Sequence, residues 1–178
     1  MVIVNMTASA NPVADRLIAA GAIEFGEFTL ASGAKSPYYV DIKTAMTDPV
    51  LLGEVARTIT DREPFEVVAG VAVGGVPLAV ATSLASGRPY AIVRSKAKDH
   101  GKSDLVIGEV QGRHVLLVED VTTSGGSAVY GVEELRKAGA VVDRVVTIVD
   151  REGGAEERLA ALDVRLVPLV RARELLDR

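Results

Sequence analysis

The sequence predicts an α/β fold, a doubly wound and mainly parallel sheet with a small amino-terminal layer over its edge, and three features carry that expectation. Short apolar runs without polar alternation recur after residue 66: "VVAGVAV", "YAIV", "HVLLV" and "RVVTIV". Runs of that kind fit parallel strands buried on both faces. Helical segments closed by glycine alternate with them, which gives the strand-helix-strand order of a parallel sheet. The chain has 178 residues, 48% of them hydrophobic, enough for one well-packed domain and short for two. A single domain over residues 1–178 is therefore expected, with residues 1–60 as the hood and 61–155 as the core sheet.

In chain order, Asn11-Pro12 and Asp48-Pro49 each set a capping side chain before a proline suited to a first helical turn. Apolar residues at helical spacing follow both (Val13, Leu17; Leu52, Val55, Ile59). The first helix should stop at Gly21. Between the two helices, "EFTLASGAKSPYYVDIK" mixes aromatic and β-branched residues around a Ser-Gly turn, as a short hairpin does. Helices are expected over 76–86, closed by Gly87, and over 128–138, closed by Gly139, and the sheet should have four to five strands. The last eighteen residues carry no motif.

Composition narrows the function classes. The net charge of −4 gives no sign of nucleic-acid binding, so any attraction for phosphate must be local. The absence of cysteine excludes a disulfide framework, thiolate zinc sites and cysteine nucleophiles. The first residues, "MVIVNMTASANP", have neither the basic flank nor the apolar length of a signal peptide or membrane span. A cytoplasmic protein without nucleic-acid or membrane partners is expected.

In open parallel sheets ligands sit beyond the carboxyl ends of the strands. There "VLLVEDVTTSGGSA" delivers Glu119 and Asp120, then Val121, Thr122, Thr123, Ser124, Gly125, Gly126 and Ser127, and then a helix. Small residues let the backbone form a cup of inward amides, and the helix adds roughly half a positive charge at its N-terminus. A phosphate monoester fits the cup. Carboxylates accept hydrogen bonds from vicinal hydroxyls, so the two acids beside it point to a ribose 5-phosphate. After Val93, "RSKAKDHGK" alternates Arg94, Lys96, Lys98, His100 and Lys102, and holds three of the chain's six lysines. Gly74-Gly75 makes a tight strand-to-helix turn where a ligand can lie on bare backbone. Asp150-Arg151-Glu152 ends another strand with charge. "HGKS" is no phosphate-binding P-loop, since Lys96 stands where its first glycine belongs. His114, at a strand entrance, is read as structural.

The string "VLLVEDVTTSGGSA" resembles the signature of type I phosphoribosyltransferases, and the basic segment resembles the catalytic loop of their orotate-specific members. That loop's Arg-Lys-x-Ala-Lys-x-His pattern is met at Arg94, Ala97, Lys98 and His100. Ser95 departs from it, standing where the second lysine belongs; Lys96 is one position late, and alternation turns it to the other face. The resemblance runs from about residue 11 to 160 in four ordered motifs and implies the type I phosphoribosyltransferase fold. It implies transfer of a phosphoribosyl group from 5-phosphoribosyl 1-pyrophosphate (PRPP), with Mg2+, to orotate in pyrimidine biosynthesis. Arg94, Lys98 and His100 are then catalytic. Gly74, Gly75 and residues 119–127 hold PRPP with them, and Thr123, Arg151 and Tyr39 hold orotate, with Tyr38 beside Tyr39 and Lys35 nearby. No dedicated metal ligand is expected. Ala31 stands where many bacterial members have lysine, and Gly74 where some do. In that family the basic loop completes the neighbouring subunit's site, so a homodimer is implied. Two alternatives stand beside this: a purine or uracil salvage enzyme of the same fold, and a PRPP-sensing regulator.

Overall fold

The computed structural model describes residues 11–29, 35–95 and 105–176. Helix α1 (Pro12–Ala19) starts where Asn11 accepts hydrogen bonds from the amides of Val13 and Ala14. Strands β1 (Ile23–Thr29) and β2 (Lys35–Val40) pair antiparallel as the expected hairpin, with an irregularity in register between Phe25 and Phe28. A one-turn helix, α2 (Ile42–Ala45), is capped by Asp41, and α3 (Pro49–Arg62) by Asp48, whose Oδ1 accepts from Val50 and Leu51 at 2.9 and 2.8 Å. Caps of this kind contribute about 1 kcal/mol each.

Then follow β3 (Val67–Val71), α4 (Gly75–Ser86), β4 (Tyr90–Val93), β5 (Val106–Ile107), β6 (Val115–Thr122), α5 (Gly126–Lys137), β7 (Arg144–Asp150), α6 (Ala155–Ala160), β8 (Arg165–Arg171) and α7 (Ala172–Leu176). The strands form a six-stranded sheet in the order β5-β4-β3-β6-β7-β8, parallel except for the short antiparallel β5. Alternate strand residues feed two cores. Val68, Leu116, Val118, Val146 and Ile148 pack with Leu17, Ile42, Ile59 and Leu78, so α1, α3, α4 and the hood cover one face. Val67, Ala69, Val115, Leu117 and Val145 pack with Val132, Leu135 and Leu159 of α5 and α6 on the other. Burial on both sides is why the strands read as unbroken apolar runs.

Three expectations need correction. The sheet has six strands rather than four to five, and it runs past residue 155 to Arg171. β5 is two residues long, too short to leave a pattern, and β8, "RLVPLVR", has Pro168 at its centre. Proline removes a ladder donor and argues against a central strand, but β8 is an edge that pairs only with β7. Second, β6 does not end at Val118. Glu119, Val121 and Thr122 stay in register with Thr147, Val149 and Asp150 of β7, so the acids are strand residues rather than the start of a loop. Third, β3 ends at Val71, two residues before the expected Val73, and the Ala72–Val73 peptide is cis.

Candidate active site

The strand order reverses direction between β3 and β6: the chain steps outward from β3 to β5, returns, and steps the other way from β6 to β8. The turns leaving β3 and β6 therefore diverge to α4 and α5 on opposite faces and leave a crevice between them. Into it project the Gly74-Gly75 turn, the acid pair and the Thr123–Gly125 loop.

Crowding makes Gly75 necessary, and at Gly74 it admits a side chain only if the Asp120 carboxylate shifts. A Cβ on Gly74 would sit 2.6 Å from Asp120 Oδ2, and one on Gly75 would sit 2.7 Å from the Val118 carbonyl oxygen. The turn is thus pressed against the end of β6, its backbone beside the Asp120 carboxylate. Glu119 and Asp120 are both buried. The Ser127 hydroxyl donates to Glu119 Oε1 at 2.8 Å. Burial nevertheless pushes the Glu119 carboxyl up to about 7, the Asp120 charge pushes the same way, and the Ser127 hydrogen bond and the Lys43 ammonium of α2 oppose them.

Beyond Thr122 the chain turns through Thr123, Ser124 and Gly125 into α5. Gly125 has φ of +74°, and a Cβ there would lie 3.0 Å from Ala155, so only glycine makes the turn without strain. No side chain caps α5. Its first amides, which lack helical partners, are left beside the exposed Thr123 and Ser124, a setting suited to a phosphate. Arg158 braces the loop by donating to the Ser124 carbonyl at 3.0 Å.

Two arginines flank the crevice. Arg94 follows β4; its amide donates to the Leu105 carbonyl, and its carbonyl accepts from the Tyr130 hydroxyl, both at 2.8 Å. Arg151 follows β7 with its amide on the Thr122 carbonyl at 2.8 Å. Its guanidinium lies 5.6 Å from the Tyr38 ring centroid of the hood, and among the described residues no carboxylate is in ion-pair range of it. The site thus offers a phosphate cup, two carboxylates for hydroxyls, and a guanidinium over an aromatic ring.

Residues 51–167 match the phosphoribosyl transferase domain family. An orotate phosphoribosyltransferase of Methanoculleus marisnigri is 65% identical over 167 residues, spanning 94% of this chain and 98% of that protein. This chain belongs to the orotate phosphoribosyltransferase family. The crystal structure of the orotate phosphoribosyltransferase from Aeropyrum pernix superposes with a TM-score of 0.80 at 31% identity, covering 93% of this chain and 96% of that one. The Mycobacterium tuberculosis orotate phosphoribosyltransferase, solved in complex with 5-phospho-α-D-ribosyl 1-diphosphate, superposes with a TM-score of 0.74 at 32% identity, covering 92% and 98%. The expected family, its fold and its transferase class are therefore met.

Set against this family membership, the structure gathers Gly74, Gly75, Glu119, Asp120, Thr123, Ser124, Gly125, Gly126 and Ser127 around one crevice. Thr122 stands apart from them: its hydroxyl is buried and donates to Asp150 Oδ1 at 2.9 Å. Val121 is a strand residue packed against the hood-side core. Of the two hairpin tyrosines, Tyr38 meets Arg151, whereas Tyr39 is 46% exposed and stacks on Phe28 at 5.7 Å. Adjacent strand residues face opposite ways, so the two do not share one side of the hairpin. Lys35 reaches only Thr29 among the described residues. Lys98 and His100, with Ala31, Lys96, Ala97 and Lys102, lie outside the described residues. His114 is at the amino end of β6, its amide on Glu66, far along the strand from the acids. Sequence reasoning missed Lys43, Tyr130 and Asp150. Lys43 and Tyr130 carry no motif, while Asp150 stood in plain view beside Arg151.

Proposed function

We propose that the chain transfers the 5-phosphoribosyl group from PRPP to the ring nitrogen of orotate, giving orotidine 5′-monophosphate and pyrophosphate in de novo pyrimidine (UMP) biosynthesis. The observation that carries this over a purine or uracil substrate is Arg151, a guanidinium without a protein carboxylate among the described residues, set over Tyr38. Its planar fork matches the carboxylate that orotate has and those bases lack, and the ring beneath gives the base a face to pack on.

The roles follow from charge. The α5 amides and the Thr123–Ser127 loop hold the 5′-phosphate. Glu119 and Asp120 accept hydrogen bonds from the ribose hydroxyls. Bond breaking leaves an oxocarbenium-like sugar, as glycosyl transfer generally does, and the two acids offset its positive charge. The Gly74-Gly75 backbone and Arg94, Lys98 and His100 take the negative charge growing on pyrophosphate, with about 3 kcal/mol for each well-placed donor. The donors at this corner are oxygens, which fits magnesium, and among the described residues no cluster of three acids or histidines forms a cage. Asp120, facing the Gly74 turn, is the residue that would hold the ion together with donor oxygens. When bound it neutralises leaving-group charge. Thr123 and Arg151 orient the base, with Tyr38 nearer to Arg151 than Tyr39 is. No covalent nucleophile is required.

A homodimer in which the basic loop completes the neighbour's site, and a cytoplasmic location, belong to the same proposal; no helix among the described residues is long and apolar enough to cross a membrane. The test follows the ultraviolet absorbance of orotate with PRPP and magnesium, then repeats the assay with adenine, guanine, xanthine and uracil. Turnover of orotate alone supports the assignment. Equal or faster turnover of another base overturns it.

A further inference from the structure

Thr122, Asp150 and Arg171 occupy matched register positions on three adjacent parallel strands, β6, β7 and β8. Matched residues of parallel strands point to one face, and these three connect there. Asp150 is 1% exposed. Its Oδ1 accepts from the Thr122 hydroxyl at 2.9 Å and from the Glu152 amide at 3.2 Å, and its Oδ2 lies 3.9 Å from the Arg171 guanidinium. Arg171 is tied in turn to Glu156 at 2.9 Å. Arg151 sits inside this frame, with its amide on the Thr122 carbonyl. On its far side Glu152 holds a left-handed φ of 55°, which costs a non-glycine residue energy, and both the amide and the guanidinium of Arg173 bind its carboxylate. The turn that presents Arg151 is therefore fastened at both ends.

A buried, paired carboxylate is weak support for stability, since well-packed apolar groups of similar volume do as well. What this network supplies is position. Thr122 directly precedes Thr123 of the ribose-phosphate loop, and Asp150 directly precedes Arg151. Their hydrogen bond joins the two segments that hold the two reactants.

We infer that Asp150, through Thr122 and Arg171, is a positioning residue that sets the Arg151 guanidinium in register with the ribose site, aligning the orotate nitrogen on the sugar carbon. This rests on Arg151 being the base-holding residue. The carboxyl-terminal strand, which adds no residue to the crevice, thereby acts on base recognition through Arg171.

The experiment measures kcat and KM for orotate, PRPP binding in the absence of orotate, and thermal unfolding, for Thr122→Val, Thr122→Ser, Asp150→Asn and Arg151→Ala. Thr122→Val keeps the side-chain volume and removes only the donor, so the test stands even if Asp150→Asn fails to fold. The expected result is a rise of about tenfold or more in orotate KM for Thr122→Val and Asp150→Asn, as small misplacements of reactants give. PRPP affinity should be unchanged, and Thr122→Ser, which retains the hydroxyl, should recover the orotate KM. Folded Thr122→Val protein with wild-type orotate kinetics, or with equal losses for both substrates, overturns the inference while Arg151→Ala still loses orotate. If Arg151→Ala itself keeps orotate affinity, the base role of Arg151 falls and the inference falls with it.

Discussion

Replacing Glu119 with glutamine should make the ligand-free protein more stable and the enzyme worse. The buried carboxyl is raised from an ordinary 4.5 to about 7, chiefly because burial disfavours its charged form. Between those two values the folded chain keeps a proton that the unfolded chain has released. Stability contributed by this group is therefore greatest below pH 4.5 and declines as pH rises through the window. At roughly 1.4 kcal/mol per pKa unit, the ionised form costs the folded state about 3 kcal/mol at pH 8. Glutamine has nearly the same shape, and its carbonyl oxygen can still accept from the Ser127 hydroxyl. It has no charge to desolvate.

The assay is denaturant unfolding of both proteins without substrate at intervals from pH 4 to 8. The two stabilities should coincide near pH 4 and separate steadily, with the variant ahead by about 3 kcal/mol at pH 8. Carboxylates held below their usual range by partners, such as Asp143 beside Arg144 and Glu156 beside Arg171, are common to both proteins and cancel in the difference. Parallel curves would refute the reasoning, because they would mean that Glu119 is as well solvated in the folded chain as in the unfolded one. In the same variant PRPP affinity should fall roughly tenfold or more, since a charge-assisted hydrogen bond to ribose contributes about 1.5–3 kcal/mol.

Three further outcomes are expected. Arg151→Ala should raise the orotate KM by one to two orders of magnitude, about 1.5–3 kcal/mol, with PRPP affinity unchanged in a binding titration. Tyr130→Phe removes the hydroxyl held on the Arg94 carbonyl and should lower unfolding stability by about 1 kcal/mol and reduce kcat, with orotate KM little changed; thermal unfolding and steady-state kinetics check it. Lys98→Ala should lower kcat far more than it weakens PRPP binding, because a cation on the leaving group acts mostly in the transition state; an equal loss of both contradicts that role.

The architecture was legible because its causes are local. Asn11 and Asp48 announce their helices, and buried parallel strands leave unbroken apolar runs. The four candidate segments could be named because sheets of this kind place ligands at strand ends, and charge or glycine follows each run. What escaped depended on partners distant in sequence. β8 was hidden by Pro168, tolerable only because the strand is an edge. The role of Thr122 turned on Asp150, 28 residues away. The choice between Tyr38 and Tyr39 is a matter of strand parity, fixed by the pairing of Phe25 with Tyr38 before the hairpin's register shifts.

The placement of the acids on the strand rather than beyond it explains several of these features together. A carboxylate on a loop would be solvated, with nothing to hold its direction. As residues of β6, Glu119 and Asp120 are directed by the strand backbone, which Glu119 and Val121 hold in register with β7. The same burial that raises Glu119 keeps water away from hydroxyls it would bind, so hydrogen bonds formed there are stronger than on the surface. Gly74 follows from this arrangement, since any side chain at that position would take the space the Asp120 carboxylate occupies. A side chain at position 74 would require the Asp120 carboxylate to turn away from the β3 turn.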